Sequence, residues 1–363
     1  MWKHQHSDSV KVLHDSDALS SLRRYFAVMK DEKPAKFVVA KKIEAEFEPS
    51  DTADELWKQH ESLTHEFEEI QQDIDAEKPN VRKMKEPRIS YLDLKIEIAR
   101  RILRKCNLCS RTCGVNRHRG KTGYCGCGAN VVVSSIFPHM GEEPELVPSG
   151  TIFTMGCTMR CKHCQNWTIS QWAEEGQTYT PFQLSAEIER LHAEGCRNAN
   201  LVGGEPTPWL HQWFATFKQV NTNIPVVWNS NAYYSQETAN LLAGFADIYL
   251  LDFKYGPSRC AERISDAPNY WNVCTRNHLH AKKHGEIITR LLILPDHVEC
   301  CTKPIADWIG KNLGTNTRVN LMFQYRPEWR ANEVPELSRT LGHEEMKRAS
   351  RIVEQAKLTN SVA

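Results

Sequence analysis

From about residue 150 onward, short apolar, β-rich runs alternate with stretches of helical periodicity. The runs are TIFTM (151–155), ANLVG (199–203), IPVVWN (224–229), IYLLDF (248–253), IITRLLIL (287–294) and VNLMFQ (319–324). Helices are expected near 182–194, 209–220, 236–245 and 303–312, with 344–357 closing the chain. Most runs are apolar at consecutive positions, as in strands covered on both faces, and helix-sized connections separate them, as parallel neighbours require. The pattern predicts an α/β fold, a partial TIM-like (β/α)6 barrel over 150–363. Chemistry in such barrels collects at the C-terminal strand ends.

Residues 1–88 read differently. Their acidic stretch carries little apolar surface beyond Leu56, Trp57, Leu63, Phe67 and Ile70, which recur at roughly helical spacing. One amphipathic helix is expected there, within a solvated helical extension that carries no chemistry. Residues 89–149 form an intermediate segment, in which a helix over Tyr91 to Lys105 leads into a cysteine-rich element.

Charge narrows the partners. With 46 basic against 45 acidic residues and a net charge of +1, the chain lacks the basic excess of a dedicated nucleic-acid binder. No apolar run approaches the roughly 18 residues that span a bilayer, and the start, MWKHQHSDSVKVLHDSD, has no signal-peptide core. A cytoplasmic protein is expected. Its 13 cysteines are clustered, which points to metal ligation rather than a disulfide scaffold. Cys196, Cys260, Cys274, Cys300 and Cys301 stand outside the clusters and are expected to be ordinary thiols. Cys300 and Cys301 follow Asp296 and His297, but a cysteine dipeptide with no further spaced partner does not make a metal site.

Two clusters carry ligand spacing. Cys157, Cys161 and Cys164 follow C-x-x-x-C-x-x-C after the first strand, so three thiolates converge on one centre. Three ligands on a four-iron cluster leave one iron open, whereas a saturated electron-transfer cluster uses four. A zinc site completed by His163 is the alternative at this spacing. Upstream, Cys106, Cys109, Cys113 and Cys125 supply four thiolates, which close a site and suit structural zinc or a saturated iron-sulfur cluster. Cys127 is an extra thiol, not expected to ligate. Arg117, His118, Arg119 and Lys121 between them are expected to form a solvated basic turn.

From about Tyr91 to Lys357 the chain resembles the radical S-adenosylmethionine (SAM) superfamily, particularly the branch related to pyruvate formate-lyase activating enzyme. The resemblance rests on the cysteine motif followed by Gln165, Asn166 and Trp167, on GGEPT (203–207), on LDFK with Asp252 and Lys254, and on Arg290. An H-x-G-E-E-P element at 139–144 resembles the activating enzyme-like subgroup. The resemblance implies a 4Fe-4S cluster on the three cysteines and SAM on the open iron. It places the SAM amino group at Gly203, Gly204 and Glu205, and its methionyl end at Asp252, Lys254 and Arg290, with His163 and Asn229 in the same site. The implied activity is reductive cleavage of SAM to a 5′-deoxyadenosyl radical that abstracts hydrogen, with ferredoxin or flavodoxin as electron donor. A glycyl-radical enzyme is the implied partner; modification of a peptide, protein side chain, nucleoside or small metabolite is the alternative. A third reading, from another class, is a metal-stabilised interaction protein with a dead radical site. The sequence departs from well-studied activating enzymes at QYRP, where Arg326 stands in place of a histidine.

Overall fold

A computed structural model of the chain describes residues 7–76 and 85–363. The expected segment 1–88 is therefore described in part, and its residues 1–6 and 77–84 lie outside the described residues. The strands are β1 (Val132–His139), β2 (Ser149–Thr154), β3 (Gln177–Thr178), β4 (Ala199–Gly203), β5 (Val226–Ser230), β6 (Ile248–Asp252), β7 (Glu286–Leu292), β8 (Arg318–Met322) and β9 (Ser361–Val362). They form one sheet in the order β3-β1-β2-β4-β5-β6-β7-β8-β9. All neighbours from β2 to β9 run parallel, and β1 is antiparallel to both β2 and β3. The six predicted strands are β2 and β4 to β8, each within a few residues of its expected bounds. β1, β3 and β9 were not foreseen: β1 is half-polar, and the other two have only two residues each.

Among the described residues, six α-helices precede the sheet: α1 (Ser7–Lys11), α2 (Ser16–Ser21), α3 (Arg23–Met29), α4 (Lys36–Ala40), α5 (Ala53–Asp75) and α6 (Tyr91–Ile102). Crossovers follow as α7 (Trp167–Ser170), α8 (Pro181–Ala193), α9 (Leu210–Gln219), α10 (Gln236–Leu242), α11 (Cys260–Ser265), α12 (Tyr270–His284), α13 (Lys303–Asn312) and α14 (His343–Gln355). Polar side chains start several of them, as helix ends require: Thr52, Ser90 and Thr180 each close a capping box at the start of α5, α6 and α8. α12 was missed because YWNVCTRNHLHAKKH mixes polar and apolar residues without a clean stripe.

The N-terminal segment is not the solvated extension expected. The amphipathic helix is present as α5, and it buries Leu56, His60, Leu63 and Phe67. Ahead of it, Phe37 of α4 is fully buried and meets Phe217 of α9 edge to face at 4.9 Å. Leu22, Tyr25 and Phe26 form a second apolar cluster with Leu146 and with Val227, Ile248, Leu250 and Ile288 of the sheet. The short early helices lack the long periodicity that reveals a buried helix.

Strand alternation then positions the site. Parallel partners point to the same face, so the face that carries Val227 with Ile248 and Leu250 with Ile288 also carries Asn229, Asp252, Arg290 and Asn320 nearer the C-terminal ends. Its N-terminal half carries Val227, Ile248, Leu250 and Ile288, covered by α2 and α3, with Glu286 and Arg318 beside them; its C-terminal half is polar. Among the described residues, no helix is long and apolar enough to cross a membrane.

Candidate active site

One cleft at the C-terminal strand ends is lined by Cys157, Cys161, His163 and Cys164, by Gly203, Gly204 and Glu205, and by Asn229, Asp252, Lys254 and Arg290. All eleven residues expected in the radical site from widely separated parts of the chain therefore meet. The cysteine loop leaves β2 through Gly156, whose φ of +80° and packing against Cys127 Sγ exclude any side chain. Its backbone rests on α11: Arg160 N donates to Ser265 O at 2.9 Å and Lys162 N to Ile264 O at 3.0 Å. Cys157 Sγ accepts from Met159 N at 3.4 Å and from Asn231 Nδ2 at 3.5 Å, and Cys164 Sγ lies 3.3 Å from Ser170 Oγ. Burial raises all three thiols, Cys164 to about 11, so without a metal they are neutral.

His163 does not complete a fourth corner for zinc. Its Nε2 lies 2.9 Å from Tyr255 Oη, and burial lowers its pKa to about 4. The imidazole is a neutral side chain that lines the cleft and packs edge to face on Tyr255 and Tyr325.

The GGEPT stretch serves packing first. A Cβ at Gly203 would strike the Thr154 backbone, and one at Gly204 the Gly156 carbonyl, so these glycines let β4 close against the end of β2. Glu205 is buried with both oxygens engaged. Oε1 accepts from Thr207 Oγ1 at 2.5 Å and Ser230 Oγ at 2.7 Å, and Oε2 accepts from Asn231 N at 2.9 Å. Burial raises its pKa against these bonds. The carboxyl ties β4 to β5 and holds Asn231 over Cys157.

Asp252 and Lys254 form a partly buried ion pair on the rim. Burial lowers the lysine's pKa, but the Asp252 carboxylate beside it holds it above the ordinary value. Arg290 makes four hydrogen bonds: Nε to Glu143 Oε1 at 2.6 Å, Nη2 to Glu143 Oε2 at 2.7 Å and to Glu142, and Nη1 to Asn229 Oδ1 at 3.0 Å. Burial works against charge on Glu142, yet Arg290 and His139 hold it down at about 2. The E-E pair of the H-x-G-E-E-P element is thus the arginine's clamp, a contact across 147 residues that no local spacing reveals. Asn229 lines the cleft, and its Nδ2 is left buried and unpartnered.

Cys106, Cys109, Cys113 and Cys125 line a separate small cavity with Arg111, Arg117 and Tyr124. Burial raises Cys109 to about 12, while a hydrogen bond from the Cys127 thiol lowers Cys125 to about 6. The element abuts the cysteine loop, since Trp172 Nε1 donates to Cys125 O at 2.9 Å and Arg111 Nε to Thr158 O at 3.2 Å. The basic turn is not wholly solvated. Arg117 is buried and donates to Gly128 O at 3.0 Å and Pro208 O at 2.7 Å, whereas His118, Arg119 and Lys121 are exposed. Cys260, Cys300 and Cys301, expected to stand apart, come together with His297. Their sulfurs and a His297 nitrogen lie within 4.8 Å of one another. The signal was hidden because Cys260 lies 40 residues from Cys300.

Residues 151–309 match the family described as the radical SAM superfamily. The chain is 42% identical over 346 residues to Uncharacterized protein MJ0674 of Methanocaldococcus jannaschii, covering 93% of this chain and 98% of that protein. Uncharacterized protein MJ0808 of the same organism is 22% identical over 275 residues, covering 66% of this chain and 78% of that one. Among solved structures, the crystal structure of Streptococcus suis SuiB bound to precursor peptide SuiA is similar at a TM-score of 0.43 and 13% identity, covering 55% of this chain and 43% of that one. By its residues 151–309, which contain the cysteine loop, the chain carries a radical SAM superfamily domain and is a radical SAM enzyme.

Proposed function

We propose that the cleft holds a 4Fe-4S cluster on Cys157, Cys161 and Cys164 and binds SAM beside it, at the mouth of a partial (β/α)6 barrel. The observation that carries this reading is the meeting, in one cleft, of three buried thiols with polar residues from the ends of β4, β5, β6 and β7. Bound there, the cluster and SAM supply a 5′-deoxyadenosyl radical for hydrogen abstraction. The chain's own residues bind and orient. Lys254 offers the SAM carboxylate a fixed cation, and Asp252 keeps that cation charged in a partly buried site. The free Asn229 Nδ2 is a donor with no partner of its own and awaits an acceptor. Gly203 and Gly204 offer backbone groups to the SAM amino group. With both its oxygens engaged, Glu205 is assigned as a positioning residue rather than a direct ligand of that group. Arg290, clamped by two carboxylates, likewise positions Asn229.

The hydrogen donor is read from resemblance to the activating enzyme-like subgroup: a glycine of a partner glycyl-radical enzyme, with ferredoxin or flavodoxin supplying the electron. The four upstream cysteines are read as a second metal centre that stabilises the fold. In anaerobically reconstituted protein, replacing Cys157, Cys161 and Cys164 by alanine is expected to abolish reductive SAM cleavage. Release of 5′-deoxyadenosine by that variant would refute the site. Wild-type protein that cleaves no SAM under strict reduction favours a metal-stabilised interaction protein instead. Transfer of deuterium from a candidate substrate into 5′-deoxyadenosine identifies the hydrogen donor.

A further inference from the structure

Outside both expected cysteine clusters, three thiols and an imidazole converge at one end of α11. Cys260 opens that helix, and His297, Cys300 and Cys301 come from the turn after β7, where Val298–Thr302 is a π-helical turn running into α13. The sulfurs of Cys260 and Cys300 are 3.9 Å apart, and those of Cys300 and Cys301 3.8 Å. His297 Nδ1 lies 3.4 Å from Cys260 Sγ, 3.2 Å from Cys300 Sγ and 3.9 Å from Cys301 Sγ. A tetrahedral zinc ion with Zn–S of about 2.3 Å and Zn–N of about 2.0 Å places its sulfurs about 3.8 Å apart and sulfur and nitrogen about 3.5 Å apart. The sulfur separations lie within about 0.1 Å of that value, and the sulfur–nitrogen separations fall on both sides of theirs. They are shorter than expected for thiolates attached to separate irons of a cubane cluster, so one shared ion fits the set.

A second observation concerns the ring's other nitrogen. His297 Nε2 lies 3.4 Å from Glu336 Oε1, close but without hydrogen-bond geometry, and that carboxylate also pairs with Arg263 of α11. Metal-bound histidines commonly turn their outer N–H to a carboxylate, which fixes the tautomer that leaves the inner nitrogen free to ligate. Exposure supplies an entry path, since Cys300 is exposed and Cys260 partly so, while Cys301 and His297 are buried.

We propose that Cys260, His297, Cys300 and Cys301 bind one tetrahedral zinc ion, a Cys3His site separate from the radical centre and from the upstream cysteines. Four protein ligands close the coordination sphere, so the ion is structural rather than catalytic. It ties the start of α11 to the turn after β7, and the backbone of α11 carries the Arg160 and Lys162 amides of the radical cysteine loop. The ion thereby braces that loop from behind. The site does not depend on the chemistry of the cleft.

The test uses full-length protein purified anaerobically, with zinc and iron measured per chain. Cys260→Ala and His297→Ala are each expected to remove one equivalent of zinc relative to wild type, and His297→Cys, which restores four ligands, to retain it. Because Cys260→Ala could fail to fold, Cys300→Ser at the exposed position is measured as well. Cobalt(II) added to apoprotein is expected to give tetrahedral thiolate–cobalt absorption that Cys300→Ser diminishes. In the zinc-deficient variants, amide hydrogen exchange at Arg160 and Lys162 is expected to speed up at least tenfold. Unchanged zinc in the variants, or a disulfide between Cys260 and Cys300 in the isolated protein, overturns the site. Zinc loss with unaltered exchange at those two amides overturns the bracing role.

Discussion

Lys254 sits beside Asp252 with its charge maintained despite partial burial, which makes it the cation best placed to meet a carboxylate in the cleft. Lys254→Met keeps most of the side-chain bulk and removes the charge. The expected outcome is a SAM dissociation constant raised at least tenfold, about 1.4 kcal/mol, while the reconstituted cluster keeps its absorption. Calorimetric titration of SAM into wild type and variant decides it, and an unaltered constant removes Lys254 from the binding site. The gathering of Cys157, Glu205, Asp252 and Lys254 in one cleft was foreshadowed because each sits in a short motif at or just after the end of a strand. The engagement of Glu205 by Ser230 and Asn231 was not legible, because those partners come from the next strand.

At the scale of elements, α3 has no side-chain cap of its own. Glu286, which opens β7, fills that role: its two oxygens accept from the Arg24 and Tyr25 amides at 2.7 Å each. A carboxylate at the start of a helix meets otherwise unpaired N–H groups. Burial nevertheless pushes its pKa up to about 7. A carboxyl raised in the folded state contributes its stability fully below the unfolded value of about 4.5 and loses it as pH rises through about 7. Wild-type protein is therefore expected to lose melting temperature relative to Glu286→Gln between about pH 5 and about pH 8. Parallel melting curves across that window would show that this carboxyl does not govern the docking. The strands and most crossover helices followed from local periodicity; this docking did not, since it joins residues 262 apart.

For the whole molecule, the N-terminal helices complete the core rather than decorate it. Leu22, Tyr25 and Phe26 cover the N-terminal half of the sheet face whose other half is the active cleft. Burying three such side chains contributes about 5–9 kcal/mol, comparable to the about 5–15 kcal/mol by which a domain is stable. A chain beginning at Glu46 is accordingly expected to lose its cooperative thermal transition and to aggregate, read by calorimetry and light scattering. A truncated chain that melts cooperatively near the wild-type temperature would make the segment an appendage after all. What the sequence determined by itself was local: six strands from runs of apolar residues, helices from their periodicity, and the spacing of three and of four cysteines. Those signals survive in one dimension because neighbours in the chain carry them. Only the tertiary structure decided that Arg290 is clamped by Glu142 and Glu143, that α2 and α3 floor the sheet, and that Cys260 joins His297, Cys300 and Cys301. Each joins residues dozens to hundreds of positions apart, and such contacts are set by how elements pack against one another, for which no stretch of sequence carries a period or a spacing.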